Sequence, residues 1–586
     1  MSESHSPVGP YLVEPCIHPE LAAHTAHFDK RVYTVADHVH VAVGWSSANA
    51  IVVEGPEGLV VVDTGSGVDL AATIEAELRP HLKDPAAPVR AVVVTHHHPD
   101  HVNGVGHWVS AEDAAAGRVA VYAHRTFLDS LTDQSGPALH IMGLRSVYSL
   151  GNLLGPEDTR GGNDAVGPHA GVGQPSFVMP THLVDDELEV TVAGVRLRMF
   201  HNPGETDDAI SVHLPDSGVV LCGDTIQGPT LPNIHTLRGC RYRDPMQWVR
   251  SIDALRACRA DHLVPSHGQP VSGADAVEEV LGVERDCIQY IHDQTVRLMN
   301  QGLTPDELAE AVELPAHLAE FKPYAREYYG TVKHTVRQIF FGYLGWFGGD
   351  PVDLDPLPRA EAARRTVALM GGRERVLGAA REAYDAGEFQ WAAELATHLT
   401  RTDRDDTDAR QLKAACFRRL GYAHMNINWR NWYLSSANEL EEKIQPILPF
   451  INFAQIFAPR DLVARIRAAW LVELFTTRLR AEDSGDVDRI LGLRVTGGEH
   501  YGTEEVALHV RRGVARFLTE IPAEADLVVE ITRFALEELH LGTADLRTAF
   551  ARGGAAAVRG DEAAAAALLD LFDPIKPEKP TELTLR

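Results

Sequence analysis

The stretch Ala91–Gly104, AVVVTHHHPDHVNG, says more about this chain than any other segment of its length. Its first five residues form a continuous apolar and β-branched run, the pattern of a strand buried on both faces. Directly after that run stand His96, His98, Asp100 and His101, in the spacing HxHxDH. A metal ion requires nitrogen and oxygen donors brought together by a rigid frame, and four of them fall here within six residues. Alternate residues of an extended turn point the same way, so His96 and His98 can face one ion. The Pro99–Asp100 step then turns Asp100 and His101 toward a second position. His97, between two donors, is expected to stand aside. A surface histidine run would have neither the strand before it nor partners elsewhere.

Working outward, the partners come one after another, each behind a strand. Glu205 lies in HNPGETDD after LRMF, Asp224 in LCGDT after VVL, and His267 in LVPSHGQP after DHLV. Singly, each reads as a turn residue, a solvated acid or a loop histidine; together, in this order and context, they form a pattern hard to obtain by chance. Upstream, VHVAVGW, AIVVEG and LVVVDTG alternate as strands, and VDLAATIEAELRPHL reads as an amphipathic helix. LEVTVAGVRLRMF, AISVHL and GVVLCGD supply further strands. The Gly-, Asn- and Pro-rich stretch Met142–Thr181 is expected to be a long loop over the site.

At 586 residues the chain exceeds what one hydrophobic core can organise. We expect a catalytic domain over 1–273, a helical domain over 274–442, a linker over 443–460, a mixed α+β domain over 461–574 and a Pro-rich tail over 575–586. TPDELAEAV and SGADAVEEV both have the look of capped helix starts. Glu374–Leu420 reads as helical hairpins of the tetratricopeptide kind. With 82 acidic against 54 basic residues the formal charge is -28, which repels phosphate backbones and argues against nucleic acid as a partner. No stretch has the roughly 20 apolar residues that span a bilayer, so no membrane role is expected. The first residues lack a basic and an apolar region, which points to the cytoplasm. Six scattered cysteines read as reduced and mostly buried.

In order and context the donors resemble the motifs of the metallo-β-lactamase superfamily: HxHxDH, a ligand in a Pro-Gly turn, a Gly-Asp, and a late His-Gly. The resemblance implies an α/β fold, an αββα sandwich with a dinuclear zinc site at one edge. His96, His98 and Glu205 would hold the first of two Zn2+ ions, Asp100, His101 and His267 the second, with Asp224 bridging. Longer strings are similar to the zinc-dependent (type III) alkylsulfatases of that superfamily: NIHTLRGCRYRDPMQW (Asn233–Trp248), YYGTVKHTVRQIFFGYLGWFGGDP (Tyr328–Pro351) and NWRNWYL (Asn428–Leu434). That likeness implies an all-α dimerisation domain, hence a homodimer, and a C-terminal domain of the sterol-carrier-protein type.

The same likeness assigns Asn233 and Arg238 to the sulfate group of an alkyl sulfate ester and sets Tyr329 near it, with Asp100, Asp224, Arg238 and Tyr329 as catalytic residues. His334 is a further candidate proton donor. A guanidinium suits the task because its fork matches planar oxygen pairs. The family's GTEAPAE is replaced here by Pro203–Ala209, PGETDDA, so the ligand is Glu205 or, in a shifted register, Asp207; its AEN is replaced by Gly223-Asp224-Thr225. The expected reaction is hydrolysis of an alkyl sulfate to alcohol and sulfate by a metal-activated water. The alternative is hydrolysis of another ester, a thioester or a lactone on the same fold.

Overall fold

Among the described residues between Arg31 and Ser272, thirteen strands make two sheets. The first, seven-stranded, runs in sequence order: Arg31–Ala36 (β1), Val39–Val43 (β2), Ala50–Gly55 (β3), Gly58–Val62 (β4), Val89–Val93 (β5), Ala120–His124 (β6) and His182–Val184 (β7). The second holds Glu187–Val192 (β8), Val195–His201 (β9), Ile210–Leu214 (β10), Val219–Leu221 (β11), His262–Val264 (β12) and Val271–Ser272 (β13), in the order β13-β12-β11-β10-β9-β8. The structure is a computed structural model and describes residues 16–134, 136–159, 165–168, 173–576 and 581–585.

Alternation along β4 explains how the layers stack. Every residue of Gly-Leu-Val-Val-Val is buried, because successive side chains leave opposite faces. Val60 and Val62 enter the core between the sheets, beside Val93, Met199 and Val212. Leu59 and Val61 point outward against Ile74 and Leu78 of the helix Val68–Leu78. On the far side, Val220 and Leu263 meet Trp248, Ile252 and Leu281 of the helices Pro245–Ala257 and Ala274–Met299. Each such apolar side chain removed from water contributes about 1.5–3 kcal/mol. The result is the expected helix–sheet–sheet–helix sandwich.

Strand direction then gathers the loops at one edge. β4, β5 and β6 are parallel, so their C-terminal ends lie together. In the second sheet β11 and β12 are parallel, and β9 shares their direction because both β9 and β11 run antiparallel to β10. Loops leaving β4, β5, β9, β11 and β12 therefore emerge on common edges.

Beyond the sandwich, Ala274–Met299 opens a helical region. Thr304 and Glu307 form a reciprocal capping box at the head of Pro305–Ala311, as the sequence suggested. The other expected serine or threonine cap is absent: Gly273 precedes Ala274–Met299 without a side-chain cap, because Ser272 is occupied in β13. Arg373–Asp385, Phe389–Thr402 and Thr407–Ala423 follow as consecutive packed helices, and Ile427–Leu440 closes the region. Asp488–Gly498 (β14), Gly502–Arg511 (β15), Val514–Leu518 (β16), Leu527–Thr532 (β17) and Ala555–Arg559 (β18) make a separate five-stranded sheet, ordered β16-β15-β14-β17-β18 and packed against further helices. Among the described residues no helix is long and apolar enough to cross a membrane.

Two expectations need correction. Much of Met142–Thr181 is not loop: a roof helix, Leu139–Leu150, covers its start, and Pro156–Thr159 forms another turn of helix. Gly143, which reads as a loop residue, is inside the helix because the Phe453 ring lies on it; a Cβ there would meet Phe453 Cγ at 2.5 Å. Positions 160–164 and 169–172 of that stretch lie outside the described residues. The end of the chain is no free tail either. The backbone N–H groups of Leu583, Thr584 and Leu585 donate to the Glu439 carboxylate at 2.9, 2.8 and 3.2 Å, and Leu585 is buried. Positions 577–580 and 586 of the expected tail are outside the described residues.

Candidate metal centre

The loops at the sheet edges bring the sequence-nominated donors into two groups. His96, His98, Glu205 and Asp224 form one, and Asp100, His101 and His267 the other; within each group the donor atoms lie within 4.8 Å of one another. Asp224 touches both: its Oδ2 is 3.3 Å from His267 Nε2 and 4.0 Å from His96 Nε2, and its Oδ1 is 3.5 Å from His101 Nε2. Further separations are 2.9 Å for His96 Nε2 to His98 Nδ1, 3.8 Å for His98 Nδ1 to Glu205, 3.7 Å for His101 to Asp100 and 3.8 Å for His267 to Asp100. Donors placed tetrahedrally around a zinc-sized ion sit about 3.4 Å apart, so these spacings suit one.

The unspent atoms agree with that fit. His101 Nε2, Glu205 Oε2 and Asp224 Oδ1 are buried without a hydrogen-bond partner, a state that ordinarily costs a protein stability. Meanwhile the opposite ring nitrogens are engaged. His101 Nδ1 donates to Asp63 at 2.8 Å and His267 Nδ1 to the Ser47 carbonyl at 2.9 Å. His96 Nδ1 lies 3.1 Å from Thr95 Oγ1, which itself donates to Asp63 at 2.9 Å. Such contacts fix Nδ1 and turn each Nε2 toward the donor groups, where a metal would displace any proton it carries. Burial pushes the His96 and His98 imidazoles well below their usual range, so both are neutral, as ligands must be. Burial opposes charge on His267 too, but the Asp224 and Asp100 carboxylates together outweigh it and raise that ring to about 9.

Of the two readings of the Pro-Gly turn, Glu205 is the one brought beside His96, His98 and Asp224. Asp207 instead lines the outer cavity, and its carbonyl accepts from His201 at 2.7 Å. Arg238 reaches the centre: its Nη2 is 3.0 Å from His98 Nε2. With His98 and Glu205 it lines a cavity of about 440 Å³, whose wall also includes Met142 and Tyr242. Asn233 is buried close by with its amide beside the Tyr329 hydroxyl and otherwise unbonded, yet neither it nor Tyr329 lines that cavity.

Tyr329 arrives from the helical region because residues 326–330 dock on the loop after β11. Leu231 N donates to the Arg326 carbonyl at 2.8 Å and Gly330 N to the Leu231 carbonyl at 3.0 Å. Glycine is required at 330, since a Cβ would lie 2.0 Å from the Pro232 carbonyl oxygen. Burial raises the Tyr329 hydroxyl to about 12, so it stays protonated at neutral pH. His334 is turned elsewhere: its Nε2 accepts from the Trp429 indole at 2.8 Å, and burial lowers its ring to about 3.

Three functional positions escaped the sequence. Asp63, fully buried, accepts from Thr95, His101 and Ser266 and so ties three loops together; its setting at the end of LVVVDTG was the available signal. Arg243 donates to Glu205 at 2.6 Å and to the Asn233 carbonyl at 2.5 Å; nothing in the sequence separates it from its neighbour Arg241. His97 belongs to neither donor group but is no bystander. It lines the cavity, and its Nδ1 is 2.7 Å from the fully buried Asp208.

Comparison with known proteins adds independent findings. Three family models match the chain: the metallo-beta-lactamase superfamily over residues 43–267, alkyl sulfatase dimerisation over 304–443, and alkyl sulfatase C-terminal over 457–578. A linear primary-alkylsulfatase of Pseudomonas sp. (strain ATCC 19151) is 50% identical over 494 residues, 84% of this chain and 91% of that one. Another linear primary-alkylsulfatase of Pseudomonas sp. is 32% identical over 549 residues, 92% and 79% of the two chains. Among solved structures, a double mutant of the sec-alkyl sulfatase PisA1 superposes with a TM-score of 0.86 at 29% identity, covering 96% of this chain and 88% of the other.

Proposed function

This chain belongs to the alkylsulfatase family of the metallo-β-lactamase superfamily, and we propose that it hydrolyses alkyl sulfate monoesters to an alcohol and inorganic sulfate at a site for two zinc ions. The observation that carries this reading is the guanidinium of Arg238, which shares a cavity with the metal donors. A carbonyl ester or lactone gives no reason for a cation there, whereas a sulfate monoester carries a full negative charge on oxygens that a guanidinium can grip in pairs.

In this proposal His96, His98 and Glu205 would hold one ion, Asp100, His101 and His267 the other, and Asp224 would lie between them. Bound zinc supplies acidified water near neutral pH and positive charge against the sulfate oxygens. Arg243 also lines the cavity, but its two Nη donors go to the Asn233 carbonyl and Glu205, leaving only Nε without a partner, so it is assigned to holding that carboxylate. Arg238, whose Nη2 meets the His98 ring rather than a carboxylate, is the cation assigned to the substrate. His98, whose Nδ1 faces His96 Nε2, would give that atom to the ion, and Arg238 stands 3.0 Å from its other ring nitrogen, within reach of an ester held there. The Asn233 amide and the protonated Tyr329 hydroxyl beside it stand nearby as further donors to the sulfate group. Met142 and Tyr242 in the outer wall suit an alkyl chain. The region matching the dimerisation model supports a homodimer.

The test is a turnover screen of purified protein, with metal content measured on the same sample. We expect about two zinc per chain and sulfate release from primary or secondary alkyl sulfates. Hydrolysis of carboxylic esters, thioesters or lactones with no sulfate release would overturn the proposal.

A further inference from the structure

Arg238 sits on a segment, Thr236–Arg243, with no helix or strand of its own. Gly239, the next residue, is at φ +106 and has open space where a Cβ would stand, so the backbone has a free pivot beside Arg238. A cation on such a loop recognises a sulfate well only if something fixes the direction in which it leaves the backbone.

The roof helix Leu139–Leu150 supplies a part of the right shape. Arg145 Nε donates to the carbonyl of Arg238 at 3.0 Å, and its Nη2 donates to the carbonyl of Leu237 at 2.5 Å. The fork thus spans two consecutive carbonyl groups at the point where the Arg238 side chain departs. This is not an incidental ion pair. No carboxylate pairs with Arg145 among the described residues, and half-burial depresses its pKa without a compensating partner. A buried charge is retained against that penalty when its donors are spent on something specific.

The helix carrying Arg145 is itself anchored. Its guanidinium lies 5.3 Å from the Trp432 ring, and the Trp432 indole donates to Ser149 Oγ at 2.8 Å. Asn431 donates to the Ser149 carbonyl at 3.0 Å, and the Tyr148 hydroxyl donates to Glu439. Trp432, Asn431 and Glu439 all belong to Ile427–Leu440, so the helical region provides a fixed reference on which the Arg238 loop is hung.

We infer that Arg145 is a positioning residue for sulfate recognition: it aims Arg238 into the cavity by gripping the two carbonyl groups beside it, without touching the substrate. The inference rests on the reading of Arg238 as the sulfate-binding cation. Lysine at 145 would keep the charge but offer a point donor in place of the fork, and methionine would keep the bulk against Trp432 alone.

Steady-state kinetics on zinc-loaded R145M, R145K, R238A and the R145M/R238A double variant decide the matter. The substrate is a short alkyl sulfate below its aggregation threshold, with inorganic sulfate as the competing anion. R145M should raise KM and the sulfate inhibition constant about tenfold while leaving kcat within about threefold of wild type and zinc content unchanged. R145K should fall between R145M and wild type. In the R238A background R145M should change KM no further, since no guanidinium is left to aim. Wild-type KM in R145M, or an equal penalty in both backgrounds, overturns the inference. A wild-type KM in R238A alone would instead defeat the sulfate-site reading, and this inference with it. Should R145M fail to fold, R145K in the two backgrounds makes the same comparison.

Discussion

Asp63 occupies φ +55 at the end of β4, a conformation that strains most L residues but that Asp, Asn and Gly accept. Asp63→Asn therefore keeps the backbone and removes the charge that orients His101. We predict a loss of metal affinity of about 10–100-fold with the fold intact, measured by chelator competition beside circular dichroism. His98→Ala should release metal and activity together. His97→Ala should keep wild-type metal content and lower kcat/KM, because its ring faces the cavity and lies outside both donor groups; metal loss in that variant would refute the distinction. The sequence shows His96 to His101 plainly because those donors are adjacent in the chain. Asp63, Arg243 and Asp208 find their partners 32, 38 and 111 residues away, and no local spacing reports such a contact.

At the level of elements, strands and long helices are legible because alternation and helical periodicity run uninterrupted through them. The roof helix is not, since its glycine is explained by a ring arriving from Phe453, far along the chain. What holds this helix is equally remote. Glu439, on Ile427–Leu440, takes the Tyr148 hydroxyl and three backbone N–H groups of residues 583–585. Glu439→Gln preserves the shape but weakens four charge-assisted bonds and sets an amide N–H₂ against donors. It should destabilise the fold by about 1–3 kcal/mol, seen as a lower melting temperature. An unchanged melting temperature would show that the end segment adds nothing to the roof.

Across the whole molecule, three buried histidines outside the two donor groups tie stability to pH. His24 and His540 are lowered to about 4 and His334 to about 3, in each case chiefly by burial. In the unfolded chain they take up protons near pH 6.5. The unfolded state therefore binds more protons in between, and stability present above about pH 6.5 is lost as pH falls toward about 4. Neither ring nitrogen of His540 has a partner. His540→Met should consequently melt at a temperature that drops less than wild type between about pH 7 and about pH 5; an equal drop would count against the assignment. The three-part organisation was readable from the change of periodicity near Gly273, whereas the docking of the chain's end on the helical region was not, its prolines resembling a free tail. That docking also sets an order in time. Leu583 is made 144 residues after Glu439, roughly 7–30 s later at ordinary synthesis rates. For that interval Glu439 can hold the Tyr148 hydroxyl alone, and the helix Leu139–Leu150 waits for the three backbone donors that complete its anchor.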